Sequence, residues 1–300
     1  MNKVIVIGSS NTDMVVRSER LPRPGETVLG GGFVMAGGGK GANQAVAVAR
    51  MGHKVIFAAA LGRDIFGDDA VRQYGRYGID TSYIVRKDTP SGVALIMVDY
   101  AAQNAISGAL GANSELSVGD VMPALEQIEA GDIVLLQLEI PMDTVAATVA
   151  VAAAKGARVV LNPAPAAMVS EEVLSKLYLI TPNQTEAEIL TGIAVNDEAS
   201  ARLAAEALRR SGVSKVVITM GSQGALLDDG GHFEMIEARK VAAVDTTAAG
   251  DVYNGALCAA LAEGLSLVEA LRFATKASAI SVTRMGAQPS IPSREEVDNF

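Results

Sequence analysis

Asp251 stands in the run Val244-Asp245-Thr246-Thr247-Ala248-Ala249-Gly250-Asp251-Val252-Tyr253-Asn254, which sets a carboxylate beside small residues where a helix is expected to begin. Small side chains let backbone N–H groups come close to an anion, the first helical turn carries N–H groups without partners, and the helix dipole adds positive potential. The chemistry on offer is a phosphate site with a base built in. Asp251 lies where a hydroxyl attacking phosphorus would lose its proton. The helix terminus is expected to depress the Asp251 pKa, leaving it ionised at neutral pH and weakly basic. Asp245-Thr246-Thr247 before a helix is also good N-cap chemistry, but a cap has no need of the Ala248-Ala249 pair.

Further runs carry polar groups that one crevice could collect. Gly37-Gly38-Gly39-Lys40-Gly41-Ala42-Asn43-Gln44-Ala45 is a glycine run opening onto an apolar helix. It is not a Walker A loop, because Val34 stands where glycine is required and Gly41 follows Lys40 in place of Ser or Thr; nor is it a Rossmann fingerprint. A flexible turn would also use glycine, but successive glycines carry an entropy cost that close approach to a ligand would offset. In Gly8-Ser9-Ser10-Asn11-Thr12-Asp13, at the end of the first expected strand, an extended backbone points Asn11 and Asp13 to one side. An amide and a carboxylate so placed grip adjacent hydroxyls; an Asx-turn closing the strand is the plainer alternative. Glu139 follows a strand in the same way, either as an ordinary strand-end acid or at the crevice. Asn183 with Glu186 three residues on reads first as a capping box and second as a pair organising Mg²⁺ waters and phosphates. Thr219-Met220-Gly221-Ser222-Gln223-Gly224 reads as a hairpin turn or a nucleotide-holding loop, and spacing does not decide.

Alternating elements must position these groups. Lys3–Gly8, Lys54–Gly62, Asp132–Leu138, Arg158–Asn162, Tyr178–Thr181 and Lys215–Thr219 read as buried strands. Gly41–Met51, Asp68–Tyr77, Val118–Ile128, Met142–Lys155, Asn196–Ser211, Asp251–Ala262 and Ser266–Val282 read as helices. Strand and helix in turn imply a mostly parallel sheet covered on both faces, with ligands beyond the carboxyl ends of its strands. Glu26–Met35 and Gly92–Gly108 break the rhythm and suggest short antiparallel strands forming a lid. With 300 residues and 49% hydrophobic content the chain can bury a large core. No apolar run spans a membrane and Met1-Asn2-Lys3-Val4 leads straight into a strand, so a cytoplasmic protein is expected. The single cysteine, Cys258, and the distant His53 and His232 argue against disulfide and zinc chemistry. A net charge of −9 argues against nucleic acid or an anionic membrane as partner, though not against a nucleotide substrate.

Taken in order, Asn11-Thr12-Asp13, Pro24-Gly25-Glu26-Thr27, Gly38–Ala45, Gly111-Ala112-Asn113, Asn162-Pro163-Ala164-Pro165, Asn183 with Glu186, Asp245–Asp251 and Thr283–Ser290 resemble the ribokinase family of sugar kinases. The resemblance runs from the first strand to Pro292. It implies an α/β three-layer sandwich with a mostly parallel central sheet, one domain over 1–300, and a β lid from about 14–37 and 90–110 that pairs two subunits. It implies ATP-dependent phosphorylation of the ribose 5-hydroxyl, with Asp251 as base and the Ala248, Ala249, Gly250 and Asp251 amides as anion hole. By the same resemblance Asn11, Asp13, Gly39, Lys40, Asn43, Glu139 and Asp251 bind the sugar. Asn183, Thr219, Gly221, Gly224, Gly250 and Thr275 surround the nucleotide, and Asn183 and Glu186 organise Mg²⁺ and phosphates. A monovalent cation, K⁺, sits beside the anion hole on Asp245, Thr247, Ser281, Arg284, Gly286 and Ser290.

The departures are few. Ala248 stands where many relatives have Gly, Val252-Tyr253 replaces a common Thr-Phe pair, and Thr275 occupies a position near adenine that is often Asn or His, leaving nucleotide preference open. The rivals are a deoxyribokinase, another sugar or nucleoside kinase of the same family, and a non-catalytic sugar-binding regulator. A nucleoside kinase would need stacking aromatics, and the chain has no Trp and 4% aromatics. A regulator would have lost the base or the anion hole, and Asp251, Gly250, Asn183, Glu186 and Lys40 are all present.

Overall fold

A computed structural model describes residues 2–101 and 103–300. Its strands are β1 (Val4–Ile7), β2 (Asn11–Ser18), β3 (Phe33–Gly38), β4 (Val55–Gly62), β5 (Ile84–Lys87), β6 (Gly92–Asp99), β7 (Asn104–Ala109), β8 (Ile133–Leu136), β9 (Arg158–Leu161), β10 (Leu179–Ile180), β11 (Lys215–Thr219), β12 (Ala225–Asp229) and β13 (His232–Ile236). Its helices are α1 (Lys40–Arg50), α2 (Ile65–Arg76), α3 (Val118–Glu126), α4 (Met142–Ala154), α5 (Glu171–Leu174), α6 (Gln184–Thr191), α7 (Glu198–Arg210), α8 (Ala249–Ala262), α9 (Leu267–Ser281) and α10 (Arg294–Asp298).

The large sheet runs β13-β12-β11-β10-β9-β8-β1-β4-β5, parallel from β11 to β5. Sequence shows why it is covered twice. β1 is Val-Ile-Val-Ile, wholly buried, and the pleat sends Val4 and Val6 into a core with α1, α8 and α9 while Ile5 and Ile7 enter a core with α3, α4 and α7. Both cores are nearly dry aliphatic packing, the main source of stability. All six expected strands form. The antiparallel hairpin β12–β13 and the edge strand β5 were not expected. Helix α2 starts at Ile65 rather than Asp68, because the Asp64 side chain accepts the Gly67 N–H and caps the helix earlier.

Close approach between elements depends on absent side chains. A Cβ on Gly41 would lie 2.6 Å from the carbonyl carbon of Gly8, and one on Gly255 would lie 2.5 Å from the Ala47 Cβ. The first turn of α1 therefore packs onto the end of β1, and its middle onto α8.

The small sheet runs β3-β2-β6-β7. Its central pair, β2 with β6, is parallel, where only antiparallel pairing was expected. Asn11 and Asp13 lie on β2, so they belong to this sheet and not to the end of the first strand. The strand expected over Glu26–Met35 begins only at Phe33. Gly30 and Gly31 have φ of 108° and 95°, and Gly31 packs onto the Arg17 carbonyl so tightly that a side chain would overlap it; the chain loops there before pairing. The sheet leaves Val16, Phe33, Val34, Met35, Leu95, Met97 and Ile106 exposed. Among the described residues no helix is long and apolar enough to cross a membrane.

Candidate active site

Polar residues succeed the parallel strands at one edge of the large sheet: Ser9 after β1, Gln137 and Glu139 after β8, Asn162 after β9, Thr181 and Asn183 after β10. The first turns of α1 and α8 meet this edge. Asp251, in the first turn of α8, is 6% exposed. Its Oδ2 accepts Asn43 Nδ2 at 2.9 Å and its Oδ1 accepts Gln44 Nε2 at 3.0 Å, both from α1. Burial pushes the Asp251 carboxyl above its ordinary range; the Lys40 charge and the two amides oppose the rise, and Glu139 adds to it. This corrects the sequence reading, which weighed the helix terminus but not the loss of hydration, and makes Asp251 a stronger base than expected.

Ala248 is the N-cap of α8 with φ 59° and ψ 9°, the one non-glycine residue with positive φ among the described residues. The Ala249 N–H donates to the Thr246 carbonyl at 3.2 Å. Among the described residues those of Ala248, Gly250 and Asp251 donate to no backbone acceptor outside the helix, which leaves three N–H groups of the expected four without a backbone partner.

The residues expected to hold a sugar come together beside Asp251. Asn11 Oδ1 accepts Asn113 Nδ2 at 2.8 Å, and Asn113 also accepts the Ser10 N–H, fixing the start of β2. The Asp13 carboxylate lies over Gly38, where any side chain would overlap it. Burial first, then the Glu139 and Asp251 carboxylates, push the Asp13 carboxyl up to about 6 against the pull of Lys40. Glu139 Oε2 accepts the Ser9 hydroxyl at 2.5 Å and the Lys40 N–H at 3.1 Å, which caps α1. Gly39, at φ 85°, makes the turn into α1, and a Cβ there would lie 2.7 Å from the Asn11 nitrogen. The Lys40 ammonium forms no ion pair among the described residues, yet its charge acts on Asp13, Glu186 and Asp251 together. The buried Asn43 Oδ1 has no hydrogen-bond partner among the described residues.

On the other side of Gly250 lies a cavity of about 640 Å³. Asn183, Thr219, Gly221, Gly224, Gly250 and Thr275, all expected around a nucleotide, line it. Thr219–Gly224 is both a hairpin turn and cavity wall: Met220 N–H donates to Gly224 O at 2.8 Å. Sequence reading missed Ala238, Arg239, Lys240 and Ser278, which also line it; a basic pair upstream of Asp245 was the available signal. Asn183 and Glu186 form the capping box, Asn183 N–H donating to Glu186 Oε2 at 2.8 Å and Glu186 N–H to Asn183 Oδ1 at 2.8 Å. Among the described residues Glu186 Oε1 takes no hydrogen bond, so capping occupies only one of the two carboxylate oxygens. Burial pushes the Glu186 carboxyl up, with Asp251 adding and the Asn183 N–H and Lys40 opposing.

Behind α8, Asp245 Oδ1 accepts the Thr247 N–H at 2.9 Å and its hydroxyl at 2.6 Å, while Oδ2 accepts the Gly286 N–H at 2.8 Å. Burial alone would raise the Asp245 carboxyl, but these donors hold it below the usual range. The Arg284 guanidinium pairs with Glu296 at 2.5 Å, so only its main chain faces this loop; Ser281 and Ser290 are buried, their hydroxyls donating to Ser278 O and Ala287 O.

A base at a helix N-terminus, set between a hydroxyl-reading crevice and a nucleotide-sized cavity at the carboxyl edge of a doubly covered sheet, defines a phosphotransferase of the α/β class. The pfkB family of carbohydrate kinases matches over residues 1–294, and the chain belongs to that family. It is 45% identical over 296 residues to the ribokinase of Haemophilus influenzae, covering 98% of this chain and 97% of that one. Its fold is similar to that of ribokinase from Thermotoga maritima, with TM-score 0.91, 40% identity and 100% and 99% of the two chains covered. It is also similar to Arabidopsis thaliana ribokinase complexed with ribose and ATP, with TM-score 0.91, 31% identity and 99% and 97% covered.

Proposed function

We propose that this chain transfers the γ-phosphoryl group of ATP to the 5-hydroxyl of D-ribose, giving ribose 5-phosphate and ADP. The observation that carries the reading is Asp251 itself: its carboxylate faces the crevice of Asn11, Asp13, Lys40, Asn43 and Glu139, and the residue before it, Gly250, lines the 640 Å³ cavity. In this reading Asp13 accepts two sugar hydroxyls, Asn11, Asn43 and Glu139 complete the set, and Gly39 and Lys40 supply backbone and charge. Asp251 accepts the proton of the attacking hydroxyl, and the amides of Ala248, Gly250 and Asp251 donate to the oxygens of the transferring group. Thr219, Gly221, Gly224 and Thr275 surround the nucleotide.

Two cations belong to this reading. Among the described residues no three His, Cys, Asp or Glu side chains gather as a metal cage, so a magnesium ion would be held chiefly by the phosphates. The residues fit it: Asn183 lines the cavity and its capping partner Glu186 keeps Oε1 without a hydrogen bond among the described residues, so the pair would bind waters of that ion. When bound, magnesium neutralises charge on the phosphates. The Asp245 loop offers only oxygens and one negative charge, which suits K⁺; Asp245 and the oxygens of Thr247, Ser281, Arg284, Gly286 and Ser290 would hold it and steady the amides.

The small sheet acts as the lid of a single catalytic unit. Its exposed Val16, Phe33, Val34, Leu95 and Ile106 are an apolar face that a second copy covers, giving a homodimer. An enzyme spending ATP on a free sugar works in the cytoplasm. The test is ADP release with ribose, 2-deoxyribose, fructose and adenosine, each with and without K⁺. Turnover fastest with ribose and raised by K⁺ is expected; faster turnover with 2-deoxyribose would make the chain a deoxyribokinase, and tight sugar binding without turnover would make it a regulator.

A further inference from the structure

Behind Asp251, buried side chains close a ring. Gln44 Nε2 donates to Asp251 Oδ1 and to Asn162 Oδ1, each at 3.0 Å. Asn162 Nδ2 donates to the Thr181 carbonyl at 3.3 Å, Thr181 Oγ1 donates to Asn254 Oδ1 at 2.6 Å, and Asn254 Nδ2 donates to the Gly250 carbonyl at 2.8 Å. The path that leaves the Asp251 carboxylate thus returns to the peptide joining Gly250 to Asp251. Gln44, Asn162, Thr181 and Asn254 are all buried.

The ring has one direction. Gln137 Nε2 donates to Gln44 Oε1 at 2.5 Å, so the Gln44 amide cannot turn over without losing that bond and setting its oxygen against Asp251. Turning Asn162 would face its nitrogen to Gln44 Nε2 and its oxygen to the Thr181 carbonyl. With both of its N–H donors and its oxygen engaged, Gln44 has no spare conformation, and every link except the last, to the Gly250 carbonyl, lies in a low-dielectric interior where an unpaired group is costly. The far end matters equally. The Gly250 carbonyl and the Asp251 N–H share one planar peptide, so a hand on the carbonyl orients one of the three free amides.

We propose that Gln44, Asn162, Thr181 and Asn254 are positioning residues that lock the Asp251 carboxylate to the Gly250–Asp251 peptide, so that proton acceptor and amide donor meet the phosphoryl group as one rigid unit. The four come from α1, the ends of β9 and β10, and α8, and so tie the site to both the sheet and the helices. The inference rests on Asp251 as the base. It goes further in making residues that touch no substrate set the rate.

The decisive variant is Thr181→Val, which replaces one hydroxyl by a methyl at the link most distant from both ends. It is expected to lower kcat about tenfold with KM for ribose and ATP within about twofold, since small misplacements of reacting groups cost rate rather than binding. Thr181→Ser, which keeps the hydroxyl, restores kcat. Gln44→Leu is expected to lower kcat by on the order of 10²-fold, and to add no further loss in an Asp251→Asn background because the group it positions is gone. Wild-type kcat in Thr181→Val, or an undiminished Gln44→Leu loss in the Asp251→Asn background, overturns the proposal; should Gln44→Leu fail to fold, the two Thr181 variants decide. If wild type is inert toward ribose, the substrate assignment falls instead, and ¹³C NMR titration of the Asp251 carboxyl reads the ring without turnover. Its midpoint should rise in Gln44→Leu, because the amide that favours the ionised form is gone, and an unmoved midpoint refutes the ring.

Discussion

The two halves of the site are built from different material. The side proposed for the sugar is built of polar side chains, Asn11, Asp13, Lys40, Asn43, Glu139 and Asp251, crowded enough that burial and neighbouring carboxylates push Asp13 up to about 6. The cavity proposed for the nucleotide has a wall in which small residues, Gly221, Gly224, Ala238, Ala249 and Gly250, stand among polar side chains such as Asn183, Arg239, Lys240 and Thr275. A crevice that must tell one hydroxyl from another needs specific donors and acceptors, and it answers to changes of charge. A groove that holds a phosphate chain needs amides and room, and it answers to an added methyl. Asp251 joins the halves, with its carboxylate in the first and the residue before it, Gly250, on the wall of the second.

The largest break in this comparison is at the shared residue. Asp251→Asn keeps shape and N–H but removes the proton acceptor, so kcat should fall by roughly 10²–10⁴ while KM for both substrates stays within a few-fold. Steady-state ADP release measures it; unchanged kcat would remove Asp251 from the chemistry.

Next comes the charge sensitivity of the sugar side. On the proposed reading Asp13 accepts two sugar hydroxyls, one on each carboxylate oxygen, which requires its ionised form. Because its folded pKa is about 6, raised above the ordinary carboxylate value, KM for ribose should climb about tenfold per unit as pH falls below that value. Asp13→Asn should raise KM for ribose on the order of 10²-fold at pH 8 and abolish that pH dependence. The KM for ATP should be unaffected in both experiments. A ribose KM that stays flat from pH 5 to 8 in wild type would take Asp13 out of the sugar contacts.

The same division explains what sequence made legible. The parallel sheet, the small separate sheet and the short runs that carry Asp13, Lys40, Asn183 and Asp251 could be read because each is a local pattern of strand end, glycine turn or helix cap. The ring behind the base could not. Gln44 and Asn162 sit inside recognised runs, but Gln44 meets Asp251 across 207 residues and Asn162 across 118, and only packing of α1 against α8 and the sheet brings them together. The Asp251 pKa was misjudged for the same reason, since a helix start is visible in sequence and burial is not. Asn11 and Asp13 were assigned to the wrong strand because the change of sheet between β1 and β2 is held by Asn113, which accepts the Ser10 N–H from 103 residues away.

On the nucleotide side the expected effects are smaller and reverse the usual link between stability and activity. A Cβ on Gly250 meets nothing within 4 Å, and the residue is helical. Gly250→Ala should therefore stabilise the fold by about 0.5–1 kcal/mol, raising Tm by one to three degrees on the order expected for that gain. The new methyl would stand between the free Ala248 and Asp251 amides, so kcat/KM for ATP should fall about tenfold while KM for ribose holds. Unchanged ATP kinetics would mean the phosphates do not pass over Gly250.

The smallest and most discriminating change is Ala248→Gly. Alanine at φ 59° carries strain of about 1–2 kcal/mol, and glycine there would relieve it while costing about 0.5–1 kcal/mol in unfolded-chain entropy. The net is a Tm gain of no more than roughly three degrees in thermal melting. If the left-handed turn is set from outside, by Asp245 accepting the Thr247 N–H at 2.9 Å and the Gly286 N–H at 2.8 Å, kcat should stay within about twofold. A tenfold fall in kcat together with a higher Tm would show that the methyl itself stiffens the anion site, with strain retained for the sake of rate. The nucleotide half would then owe its precision to a side chain after all, and its contrast with the sugar half would narrow to a single methyl group.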